Sequence, residues 1–98
     1  MAKTLNDLRA SLADIDRRIL TLVGERQKLS TSIGTAKREA GLPLRDYRQE
    51  KAVIDRSRAA AADFGFDPEL AEQLVVSLIR ASLAAQERSE VTARAGGA

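Results

Sequence analysis

Arg26, Lys37, Ser82 and Gln86 are polar groups set at helical intervals among apolar residues. Arg26 falls on the row Leu5, Leu8, Leu12, Ile15, Ile19, Leu22, Arg26, Leu29, Ile33 and Ala36, whose steps alternate between three and four. Lys37 follows eleven residues later, three helical turns with little angular drift, so both cations can face one side. Further on, Leu74, Leu78, Ser82 and Gln86 follow one another at steps of four, and the apolar half of that row gives way to hydrogen-bonding groups. In LRDYRQEK, Asp46 and Glu50 are four apart and share a face. Guanidinium, ammonium, hydroxyl and carboxamide donors, with few carboxylates, suit an anion bearing oxygen acceptors, and arginine is the natural bidentate partner of a carboxylate. Nothing in the chain pairs a nucleophile with its base. A pocket of this kind binds a polar acid and stabilises charge developing on oxygen with preorganised donors, needing neither proton transfer nor metal.

Each of these residues also has a plainer role. A single charge in an apolar seam can fix register or oligomeric state at a cost in stability. Lys37 near a helix C-terminus is favourable there in any case. Ser82 can bond back to its own helix, and Gln86 can face water. The case for a site rests on the four together.

Helices carry all four. The alternating row is the seam of a helix packed lengthwise against others, sustained for more than four heptads. Thr4 or Asn6 can cap its start, and Gly41-Leu42-Pro43 stops it. A second helix is expected from about Asp46 to Ala62. Asp67-Pro68 then provides a capping carboxylate followed by proline at the first helical position, opening a third helix to about Glu87 with Leu70, Leu74, Val75, Leu78 and Ile79. No strand pattern competes. A first helix of about 36 residues spans roughly 54 Å, more than two shorter helices can cover. The expected fold is therefore all-α: three helices per protomer, one very long, in an intertwined helical homodimer whose isolated protomer is poorly stable. Residues 1–88 form the expected domain, and 89–98 a flexible tail or the start of a linker.

Bulk composition narrows the function. The 98 residues make one small domain, 44% hydrophobic but only 3% aromatic, so the core must be aliphatic. Sixteen basic residues against fourteen acidic ones, with net charge +2, give no basis for nucleic-acid or membrane-surface binding. Cysteine and histidine are absent, which removes thiolate chemistry and argues against a zinc site or an imidazole base. The N-terminal residues carry no signal-peptide run and no stretch approaches a membrane span, so the expected location is the cytoplasm.

With these residues assembled, the sequence resembles the all-helical chorismate mutase family. The matching pieces are LNDLRASLADIDRRILTLVGERQKLSTSIGTAKR, PLRDYRQEK and LVVSLIRASLAAQE, in order, over about residues 5–87. The resemblance implies an intertwined dimer with two active sites and no cofactor, converting chorismate to prephenate by a pericyclic shift. It also implies a place in the shikimate pathway and aromatic amino acid biosynthesis. Carried over by position, Arg9 would cross from the partner chain to hold a substrate carboxylate, and Arg26 would hold the other. Lys37 would reach the ether oxygen and a nearby carboxylate. Asp46 would act near the ring hydroxyl, mainly through its backbone, and Glu50 would accept from that hydroxyl. Ser82 would help bind a carboxylate, and Gln86 would donate to the ether oxygen. Geometry supports the exchange of Arg9 independently: it lies seventeen residues before Arg26, roughly 25 Å along one helix, too far to share a small ligand within one chain.

The sequence departs from the family pattern at one position. Where an arginine commonly precedes the glutamate of the second helix, this chain has Gln49; Arg48 lies one residue earlier, rotated about 100° around the helix. Alternatives on the same scaffold are a mutase for 4-amino-4-deoxychorismate and an isochorismate pyruvate lyase. A non-catalytic helical dimerisation or regulatory module is the alternative of a different class. The Gly-Gly ending also allows a fused or associated enzyme domain.

Overall fold

The computed structural model describes residues 2–96, which form three helices: α1 (Leu5–Glu39), α2 (Tyr47–Phe64) and α3 (Pro68–Gly96). There is no strand among the described residues. Thr4 caps α1 in a reciprocal capping box: its hydroxyl accepts from the Asp7 amide at 3.1 Å while the Asp7 carboxylate accepts from the Thr4 amide at 3.1 Å. At the other end Leu42 N–H donates to Lys37 O and Gly41 N–H to Arg38 O, with Gly41 at φ 67°. This left-handed turn satisfies the last carbonyls of α1 and needs a residue without Cβ. The same closure, built on Gly65 at φ 79°, ends α2. Asp46 caps α2 by accepting from the Gln49 amide, and Asp67 accepts from the Glu69 amide where Pro68 opens α3.

The third helix continues through Gly96 instead of stopping near Glu87. The apolar period fades after Ala85, but a helix ends where it is capped or broken, not where its apolar face stops. ERSEVTARA contains no proline or glycine, and Glu90 supports the extension by pairing with Arg94 at 2.6 Å. Most of the stretch expected as a tail is thus helical; Gly97 and Ala98 lie outside the described residues.

α3 is the central element, packing against both α1 and α2, which do not pack on each other. Arg58 of α2 ties the α2–α3 pair by reaching Glu69 at 2.8 Å and Glu72 at 3.2 Å. The molecule measures 64 × 28 × 15 Å with a radius of gyration of 17.6 Å, against about 13 Å for a compact chain of this length. Its buried apolar residues are all alanines (Ala61, Ala71 and Ala85), and no large side chain is fully enclosed. Residues 2–22 are exposed without exception, including Leu5, Leu8, Leu12, Ile15, Ile19 and Leu22 of the apolar seam. What α1 buries against α3 is a different row, Ser30 and Gly34, offset from the leucines.

No helix among the described residues is long and apolar enough to cross a membrane.

Candidate active site

The C-terminal half of α1, the start of α2 and the middle of α3 enclose a cavity of about 260 Å³. α1 contributes Arg26, Ser30 and Lys37; α2 contributes Gln49 and Glu50 with its cap Asp46; α3 contributes Ser82 and Gln86. Apolar walls come from Leu29, Ile33, Val53, Ile79 and Leu83. Six of the seven residues singled out in the sequence therefore meet at one place.

Arg26 is half-buried, and its guanidinium is held from α3: Nη1 donates to Leu78 O at 3.0 Å and to the Ser82 hydroxyl. Ser82 and Ser30 hydroxyls are 2.7 Å apart and hydrogen-bonded. The arginine is thereby fixed by two acceptors while its remaining N–H groups stay available to a ligand. Lys37 Nζ donates to Leu44 O at 2.6 Å and to Gln86 Oε1 at 3.1 Å. One of its three donors remains free, and the lysine bonds the α1–α2 loop to α3. Because Gln86 Oε1 accepts from Lys37, the amide is turned so that its NH₂ is the end left to donate. Gln86 is itself 5% exposed, so its orientation is fixed by packing as well as by this bond.

The acidic side differs. Asp46 spends a carboxylate oxygen on capping α2, accepting from the Gln49 amide at 3.1 Å. Both oxygens of Glu50 accept from Arg45: Nε to Oε2 at 3.0 Å and Nη2 to Oε1 at 2.9 Å. Hydrogen bonding to Glu50, outweighing the cost of partial burial, holds the Arg45 pKa above its ordinary value. Gln49 lines the cavity, whereas Arg48 does not.

Arg9 is the residue not brought in. It is exposed on the uncovered half of α1 and does not line this chain's cavity. Ser30 and Arg45 were not among the expected site residues. Ser30 had a signal, since it lies four residues after Arg26 and begins the row that continues to Gly34. Arg45 had none, because a bond from a loop residue to a side chain five positions later follows from no helical period. No cluster of three or more histidine, cysteine, aspartate or glutamate residues among the described ones is arranged to hold a metal ion.

An all-helical chain whose cavity sets Arg26, Lys37 and neutral donors beside Asp46 and Glu50, between apolar walls, has the chemistry to receive a small polar acid. Comparison with known proteins narrows this: the chain belongs to the chorismate mutase type II family, whose pattern it matches over residues 8–87. It is 28% identical to the chorismate mutase of Methanocaldococcus jannaschii over 88 residues, covering 90% of this chain and 89% of that protein. It is also 29% identical over 82 residues to the T-protein of Haemophilus influenzae, covering 84% of this chain but 22% of that longer protein.

Proposed function

We propose that the chain is a chorismate mutase, an isomerase that rearranges chorismate to prephenate. The observation that carries this reading is the convergence of Arg26, Lys37, Ser82 and Gln86 on one cavity with apolar walls in a member of this family. In the reaction an ether C–O bond breaks as a C–C bond forms, and negative charge grows on the ether oxygen. Lys37 Nζ and the Gln86 NH₂ donate to that oxygen. Lys37 Nζ already donates to Gln86 Oε1 before substrate arrives, which leaves the NH₂ turned to donate, so little reorganisation is needed as the charge develops. Arg26, backed by Ser82 and Ser30, holds a carboxylate; Glu50 accepts from the ring hydroxyl, with the Asp46 backbone beside it. Leu29, Ile33, Val53, Ile79 and Leu83 offer the ring an apolar surface beside these polar contacts.

The active form in this reading is a homodimer, with Arg9 supplied to the partner's cavity. Its support is the uncovered half of α1. Leu5, Leu8, Leu12, Ile15, Ile19 and Leu22 lie between 45% and 62% exposed. Covering the exposed part of each contributes about 1 kcal/mol, counted on both chains. A protomer whose buried apolar residues are three alanines needs that contribution.

The test follows chorismate consumption, with product identified by chromatography, for the wild type and Lys37→Ala. Prephenate formation that collapses in the variant supports the mutase reading. A wild type inert on chorismate refutes it, and turnover of 4-amino-4-deoxychorismate or isochorismate would then redirect the assignment.

A further inference from the structure

Arg45 touches the site only through Glu50. It lies in the loop before α2 and is absent from the cavity lining, whereas Glu50 is on that lining with its side chain 18% exposed. The two are joined side-on, with Nε and Nη2 each meeting a different carboxylate oxygen. No other cation among the described residues pairs with Glu50. The guanidinium carbon lies 4.6 Å from the centroid of the Tyr47 ring, so the fork is held on a third side. Lys37 fixes the same loop one residue earlier, at Leu44 O, and Asp46 fixes it one residue later as the α2 cap. Arg45 is therefore carried on a short segment tied at both neighbours.

A free glutamate has three side-chain torsions and would settle among several rotamers. In a cavity built for an anion, an unpaired carboxylate would also turn toward Lys37 or Arg26 and compete for the donors the substrate needs. The two-point fork prevents both. It fixes the plane of the Glu50 carboxylate and neutralises its charge locally. Each oxygen keeps a second lone-pair direction that can accept from the cavity side.

We propose that Arg45 is the positioning residue for Glu50: a Tyr47-backed clamp that holds this carboxylate as an oriented acceptor and keeps it off Lys37 and Arg26. The inference rests on the reading of Glu50 as the acceptor of the substrate's ring hydroxyl.

The test is a double-mutant cycle on the full chain, with kcat and KM measured on chorismate for Arg45→Ala, Glu50→Gln and the double variant, and folding checked by circular dichroism. Arg45→Ala is expected to lower kcat/KM by about tenfold to a hundredfold, and to add nothing once Glu50 is Gln. Arg45→Lys keeps the charge but not the fork. It is expected to fold as the wild type does and to recover only part of the loss, which separates orientation from charge. If Arg45→Ala fails to fold, the comparison of Arg45→Lys with and without Glu50→Gln decides in its place. A costly Glu50→Gln with a silent or additive Arg45 substitution overturns the clamp alone. A silent Glu50→Gln shows that a neutral amide oxygen, which also accepts, serves as well, and overturns the clamp on a carboxylate.

Discussion

Gly34 of α1 lies directly against Gln86 of α3. A Cβ at residue 34 would stand 2.9 Å from Gln86 Cγ and 3.1 Å from its Cα and Cβ. The glycine thus sets the separation of the two helices at the level of the residue whose amide meets Lys37. Backbone on the far side cannot give way as a flexible side chain would. Gly34→Ala is expected to push α3 away or swing Gln86, lowering kcat by about a hundredfold and costing about 1–3 kcal/mol of stability. Steady-state kinetics and thermal melts together check it.

Gly24 is the contrasting case on the same helix, since a Cβ there meets nothing within 4 Å. Gly24→Ala should leave turnover unchanged and raise stability by about 0.5–1 kcal/mol through helix propensity. A destabilised variant in denaturant titration would show that a second chain covers this position.

Lys37 has a dual position, bonded at once to Gln86 and to the loop carbonyl of Leu44. Lys37→Ala should reduce kcat by about a factor of 100–1,000, the cost of losing one preorganised donor to a developing oxyanion. Because it also frees the loop, amide exchange over residues 40–46 should quicken in the same variant. Lys37→Gln is expected to restore less turnover than loop protection.

Arg26 is held by Leu78 O and Ser82, so its effect should fall on binding. Arg26→Ala should raise KM by one to two orders of magnitude, the loss of a charge-assisted pair worth about 1.5–3 kcal/mol. Ser82→Ala removes a backing hydroxyl and should act in the same direction but less.

The exposed half of α1 gives a test of the exchanged arginine. Arg9→Ala and Lys37→Ala chains should each be nearly inactive alone. Mixed and refolded together, they should regain about a quarter of wild-type turnover, because half the dimers are mixed and each has one site with both residues intact. No recovery would exclude Arg9 from the partner's cavity. Ile15→Asp, placed mid-seam, should drive the protein to monomer in sedimentation velocity, with loss of activity.

The three helices are legible in the chain because most of their starts and stops are local: Thr4, Gly41, Asp46 and Asp67 before Pro68 act within a few residues. The sequence also showed which residues share a helical face, since that follows from the period of one helix. It did not determine the end of α3, where helix-forming residues continue after the apolar pattern has faded. Nor did it show that the row buried against α3 is Ser30–Gly34, leaving the leucine seam uncovered. Both rows are regular, and choosing between them takes the facing helix. The pairings that make the cavity chemical come from the packing of the folded chain: Arg26 with Ser82, Lys37 with Gln86, and Arg45 with Glu50. The first two join residues about fifty positions apart, and the third crosses from a loop to a helix. Such contacts depend on how helices approach, a distance fixed here by the absent side chain of Gly34, and no periodicity within one segment encodes it.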